Sequence, residues 1–213
     1  LIDAGSNGLE QMLAQLQGQS GIDAIHVYSH GDVGQLTLGS LTLDAGNLSE
    51  NAPLLAQLGE TLSSDADLML YGCYVGADSA GRGFVDGIAV LSGADVAASD
   101  DLTGSDALGG DWNLEAATGS IETTALSPTD FDGLLATPSI TQLSGFTYTE
   151  DSGTVTLDGD ITISGASDFR GGYIQFSLTG ATSFETLGIN TSANASTASG
   201  VISVVGSTVY RGT

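Results

Sequence analysis

Leu9, Met12, Leu13 and Leu16 recur at i, i+3, i+4 and i+7, which predicts an amphipathic helix over residues 8–17. A strand is expected over 24–29, running into Ser29-His30-Gly31. Leu36 and Leu38, a Gly39-Ser40 turn, then Leu41 and Leu43 read as a hairpin. Leu55, Leu58 and Leu62 form one stripe of a helix over 53–62, with Pro53 in its first turn, where a missing N–H is tolerated. Residues 66–71 are almost continuously apolar and end at Gly72-Cys73. Such runs mark central strands of parallel sheets, whose two faces are both covered. A helix capped near Ser79 carries Phe84, Val85, Ile88 and Leu91 and closes at Gly93, and a strand over 95–99 runs into Asp100-Asp101. Alternating strands and helices predict an α/β sandwich with a mainly parallel sheet.

Beyond residue 139 the helical period disappears. Phe146-Thr147-Tyr148, Val155-Thr156-Leu157, Ile161-Thr162-Ile163, residues 173–178, 184–189 and 201–205 alternate between Gly, Asp and Ser turns. The expected organisation is an α/β domain over 1–135, a linker at 136–139, and a β-sandwich over 140–213. About 74 residues is short for a sandwich that usually needs about 100, so the second module reads as incomplete. At the other end, Leu1-Ile2-Asp3 reads as the tail of a strand, so an earlier edge strand is expected.

Charge changes the picture of partners. The 213 residues hold 26 acidic and 3 basic side chains, a formal net charge of -23, with no lysine and only Arg82, Arg170 and Arg211 as cations. That surface repels nucleic acid and anionic lipid, so neither is expected as a partner. The 41% hydrophobic content argues against disorder. Dense carboxylates suit calcium-rich or saline surroundings, where bound cations relieve self-repulsion; plain solubility explains them equally well. Cys73 is the only cysteine, which excludes an internal disulfide. No run of eighteen apolar residues is present, so no membrane insertion is expected.

Two short motifs carry candidate chemistry. His30-Gly31 and Gly72-Cys73 each follow the C-terminal end of an apolar strand, the edge where α/β sheets build sites. If those strands are neighbours, an imidazole and a thiol meet. A base beside a thiol raises its thiolate fraction, which nucleophilic catalysis needs. The amides of Gly31 and Cys73 would then be placed to hold an oxyanion. Taken singly, a cysteine at a strand end is a small buried hydrophobe and a histidine before glycine is a turn residue. His26, mid-strand, reads as structural.

A strand ending in His-Gly, a hairpin, a helix and a strand ending in Gly-Cys resemble the caspase, gingipain, legumain and separase clan of cysteine peptidases. The stretches over 24–31, 70–73 and 96–104, with Gly109-Gly110-Asp111-Trp112, more closely resemble a bacterial domain of unknown function. That domain sits near the N-termini of giant secreted proteins with cadherin-like and RTX-type repeats, and residues 140–213 resemble the first such repeat. The resemblance implies a caspase-like three-layer sandwich followed by a partial Ig- or cadherin-like β-sandwich. It implies His30 as general base, Cys73 as nucleophile, and Asp100 or Asp101 lining a pocket that selects a basic side chain. Self-cleavage would then fall after Arg170 or Arg211. An extracellular, cell-surface setting is implied, with other modules or copies of the same protein as partners. Calcium is the expected cofactor, at Asp130, Asp132, Glu150, Asp151, Asp158, Asp160 and Asp168, although none of these fits a twelve-residue EF-hand loop. The competing expectation is a catalytically silent assembly module of a calcium-dependent adhesin or filament.

Overall fold

The structure is a computed structural model. It describes residues 1–137 and, further on, four short strands: β8 (Ser139–Thr141), β9 (Thr162–Ser164), β10 (Ile202–Val205) and β11 (Thr208–Arg211). One compact unit ends at Pro138 and a second begins at Ser139. In the second unit β8 pairs antiparallel with β9, and β10 with β11. The sequence-expected strands at 146–148, 155–157, 173–178 and 184–189 lie outside the described residues.

The first unit is built on β1 (Ile22–Tyr28), β5 (Leu62–Tyr71), β6 (Asp95–Ala98) and β7 (Ala116–Thr118), in that spatial order. β1, β5 and β6 are parallel, and β7 closes the edge antiparallel to β6. A side sheet of β2 (Gly31–Asp32), β3 (Gln35–Leu38) and β4 (Leu41–Asp44) follows β1 directly. Three helices complete the unit: α1 (Gly8–Gln15), α2 (Leu48–Gly59) and α3 (Asp78–Ser92). Asn7 caps α1 by accepting from the Leu9 and Glu10 N–H groups. Gly93, left-handed at φ 74°, closes α3.

Alternation along β5 sorts its side chains to two faces. Leu68 and Leu70 join Val96 and Ala98 against the apolar stripes of α1, α2 and α3, including Leu9, Leu55, Leu58, Phe84, Val85 and Ile88. Met69, Tyr71 and Cys73 face the other way with Ala97, where Leu102, Trp112, Leu114, Ile121, Leu134, Leu135 and Ala136 cover them. All three helices therefore serve one face. Among the described residues no α-helix packs on the opposite face, which the return segment of residues 102–137 covers from both sides of β7. The fold is a mixed α/β domain with a mostly parallel sheet flanked by helices, compatible with the expected caspase-like sandwich.

Other expectations shift in detail. The second helix starts at Leu48, which puts Pro53 in its sixth position instead of its first turn. α3 begins at Asp78, the neighbour of Ser79, and the Asp78 Oδ1 accepts from the Ala80 N–H at 2.7 Å. Leu1–Asp3 form no strand, and Asp3 instead bonds Gln11 of α1.

Tyr71 ties the return segment to the sheet: its hydroxyl oxygen accepts from the Leu126 N–H at 2.7 Å and lies 3.1 Å from Nδ1 of His26. Tyr71→Phe leaves a half-buried amide without its acceptor. It should lower stability by about 1–3 kcal/mol. The check is urea unfolding, with the midpoint lowered at unchanged slope.

Candidate functional site

β1 and β5 pair in register up to Tyr28 opposite Tyr71, and the Ser29 N–H continues the ladder to the Tyr71 carbonyl at 3.0 Å. His30-Gly31 and Gly72-Cys73 thus leave the sheet side by side at its C-terminal edge. The two glycines let these strand ends touch. A methyl on Gly31 would stand 2.9 Å from both the Cys73 oxygen and the Gly72 carbonyl carbon; one on Gly72 would stand 3.2 Å from Gly31 Cα. Backbone cannot yield as a flexible side chain does, so only glycine fits at this crossing. The rings of His26, Tyr28 and Tyr71 stack on the face that Cys73 shares. His30 follows His26 and Tyr28 at the same parity and is exposed.

The thiol is enclosed. Cys73 is 0% exposed. Its sulfur accepts from the Thr103 N–H at 3.2 Å and donates to the Thr103 carbonyl at 3.5 Å, so Thr103, not His30, bonds it here. Burial pushes the thiol pKa above its ordinary value, and the nearby Asp101 charge adds to this; backbone hydrogen bonds from Thr103, Leu135 and Cys73 itself partly offset the rise. The resting group is a protonated, covered thiol. Thr103 is itself fully buried, and its hydroxyl oxygen has no partner.

The return segment supplies the most informative contact. The Leu135 carbonyl oxygen accepts from the Gly31 N–H at 2.9 Å and from the Cys73 N–H at 3.5 Å. These are the two amides that the sequence pattern singles out as oxyanion donors. Residues 133–137 run between two backbone rails. On one side the Ser105 N–H donates to Gly133 O at 2.8 Å and the Leu135 N–H donates to Thr103 O at 2.9 Å. On the other, Ala136 bridges Gly31, and the Thr137 N–H and hydroxyl both donate to Gly31 O, at 3.2 and 3.1 Å. Leu135 itself is 8% exposed and packs in the cluster of Met69, Tyr71, Cys73 and Ala97.

The acidic candidates distribute differently. Asp100, partly exposed, is 3.4 Å from Arg82, so the carboxylate expected to select a basic residue faces the chain's own arginine. Asp101 is exposed, and its pKa is raised by desolvation first and then by Asp111 and Asp100. Asp130 and Asp132 are exposed. Glu150, Asp151, Asp158, Asp160 and Asp168 lie outside the described residues. Among the described residues, carboxylates cluster instead as Asp100, Asp101 and Glu115, and as Asp67, Asp95 and Glu122. Thr103, Leu135, Asp67 and Asp95 had no assigned role in the sequence; an aspartate inside an otherwise apolar strand was the available signal for Asp67. No helix among the described residues is long and apolar enough to cross a membrane.

Fold and site together define a mixed α/β domain that carries a histidine-glycine and a glycine-cysteine turn on adjacent parallel strand ends. The chain belongs to the family described as Domain of unknown function (DUF4347), whose model matches residues 1–135. No curated protein and no solved structure matches it.

Because the thiol is covered and its pKa raised, alkylation of the folded protein by iodoacetamide should be slow at neutral pH. A raised pKa shifts the thiolate to more alkaline pH, so the rate should climb later on the pH scale than for a free cysteine. Mass spectrometry of the Cys73 peptide from native and urea-unfolded protein checks this.

Proposed function

We propose that residues 1–137 are a cysteine endopeptidase domain that processes the polypeptide carrying it, within a large secreted bacterial surface protein. One observation carries the reading: the N–H groups of Gly31 and Cys73 converge on a single carbonyl oxygen. Two backbone donors, one of them the nucleophile's own amide, are what stabilises the tetrahedral intermediate of acyl transfer. His30 is the general base: it lies two residues beyond the last register pair on β1 as Cys73 does on β5, and its exposed ring would swing onto the sulfur for the reaction. Catalytic contacts of this kind commonly tighten only in the reacting complex.

The chemistry runs through an acyl-enzyme. His30 takes the Cys73 proton, and the sulfur attacks the carbonyl carbon. The imidazolium then protonates the leaving amine as the C–N bond breaks. Water, deprotonated by His30, hydrolyses the thioester to a carboxylate and restores the thiol. Downstream, residues 140–213 are read as a cadherin-like β-sandwich repeat that the processing step separates or reorganises, with calcium as its structural ion. The surface setting follows the composition: -23 formal charges and no lysine suit a cation-rich exterior.

The complete burial of Cys73 favours one rival, a silent assembly module in which the thiol is a core residue. The two readings part on incubation of the whole chain with reductant and calcium between pH 6 and pH 10. The same samples are offered fluorogenic peptides ending in leucine or arginine. Wild type should hydrolyse itself or a peptide, Cys73→Ala should be inert, and His30→Ala should be slower by about 10²–10⁴-fold. Hydrolysis that persists in Cys73→Ala, or none at all in wild type, sinks the enzyme in favour of the assembly module.

A further inference from the structure

The geometry points to Leu135–Ala136 as the scissile bond: the return segment lies across the site as the domain's own substrate, with Leu135 as the residue whose carbonyl is attacked. This rests on the endopeptidase reading above and deepens it. Peptidases bind substrates as extended strands paired to backbone on both sides, and residues 133–137 are held in that way between 103–105 and Gly31. The Leu135 oxygen already sits on both oxyanion donors, one of them the amide of Cys73 itself. The specificity pocket follows from the occupant. The Leu135 side chain is buried against Met69, Tyr71 and Ala97, an apolar surface that would leave a guanidinium without a partner. Leucine, rather than arginine, is therefore the residue selected. The family match also ends at Leu135. In the step itself the Cys73 sulfur bonds to the Leu135 carbonyl carbon and the bond to the Ala136 nitrogen breaks. The Ala136 amine leaves with the proton carried by His30, and water releases Leu135 as a free carboxylate.

The whole 213-residue chain tests it, with fragment termini mapped by mass spectrometry after incubation across the same pH range. Expected are a new C-terminus at Leu135 and a new N-terminus at Ala136, absent in Cys73→Ala. Ala136→Pro keeps the extended residue before it and the seated carbonyl. It should slow the cut by about 10²-fold or more through the misaligned leaving group. Leu135→Met, close in volume, should still be cut, and circular dichroism confirms that each variant folds. Cys73-dependent cleavage at any other bond, after Arg170 or Arg211 for example, overturns the junction while leaving the enzyme standing. So does an intact chain that turns over a leucine-ending peptide. If neither chain nor peptide is cut, the enzyme reading falls as well.

A separate observation, at the opposite end of the sheet, leads us to infer a divalent-cation site formed by Asp67, Asp95 and Glu122. Asp67 and Asp95 are register partners on β5 and β6, and one carboxylate oxygen from each of the three residues lies within 4.8 Å of the others. Asp67 is 0% exposed; its Oδ2 accepts from the Glu122 and Thr123 N–H groups at 3.0 and 2.8 Å, while its Oδ1 is buried with no partner. Asp95 Oδ2 accepts from the Ser120 N–H at 3.1 Å, with Gly119 wrapped closely over the carboxylate at φ 71°. A buried, unpartnered carboxylate oxygen beside a second carboxylate is costly unless a cation joins them. The chain has no lysine, and its arginines lie at positions 82, 170 and 211. An all-oxygen, multiply charged set is the ligand chemistry of a hard ion such as calcium. Its bound form would fasten residues 119–123 of the return segment to the sheet.

Calcium alone is the probe, titrated by calorimetry, with melting temperature followed in calcium and in chelator. Asp67→Asn and Asp95→Asn should each weaken the saturable site at least about tenfold and remove the calcium-induced rise in melting temperature. Glu122→Gln retains the backbone bond to Asp67 and should still weaken binding, which covers a buried variant that fails to fold. Binding unchanged in all three variants places the ion elsewhere, at Asp100, Asp101 and Glu115 or in residues 139–213, and overturns this site. Absence of calcium binding also overturns it.

Discussion

Strand β5 is buried on both faces while helices are supplied to only one of them, and much of the domain follows from that imbalance. Leaving Met69, Tyr71 and Cys73 in water would forfeit about 1.5–3 kcal/mol for each large side chain. The chain must therefore return across the sheet after β6 and cover that face with whatever backbone it has. Extended backbone carries unpaired amides and carbonyls, and each must find a partner. Those partners are Thr103, Gly31 and Cys73, the groups at the C-terminal edge. Covering the core and crossing the site are one event.

The helices and strands on the helical face were largely legible in the sequence. Apolar stripes at helical spacing located α1 and α3 to within a few residues, and the apolar run over 66–71 marked β5 as a central strand, which pairs parallel to β1. The start of α2 was obscured by Pro53, which ordinarily marks a first turn. Here the helix tolerates it five residues in, losing the N–H that would reach the Ser49 carbonyl. β7 is three residues, Ala-Ala-Thr, with no alternation to announce it. The return segment has no period at all, since its order comes from backbone pairing with distant residues rather than from a side-chain stripe. That is why His30, Gly31 and Cys73 could be singled out in advance while Thr103 and Leu135 could not.

Charge acts on the two ends of the sheet in different ways. At the C-terminal edge burial first, and the Asp101 charge after it, raise the Cys73 pKa, and Arg82 engages Asp100 at the surface. At the N-terminal end Asp67 and Asp95 each hold amides of residues 120–123, so the same segment is gripped by carboxylates at one end and by backbone at the other. With no lysine in the chain, side-chain cations can balance little of this charge. Its solution conditions therefore bear directly on how firmly the return segment is seated.

The seating of Leu135 bears on what remains after a cut. Its side chain belongs to the core, so hydrolysis would not free it to diffuse away. The carboxylate produced would stay on the Gly31 and Cys73 amides, with a full negative charge where a neutral carbonyl had been. Such a domain would act once per molecule and then be stoppered by its own product. A peptidase spent by a single event needs no separate inhibitor, and it would pose no threat to neighbouring proteins.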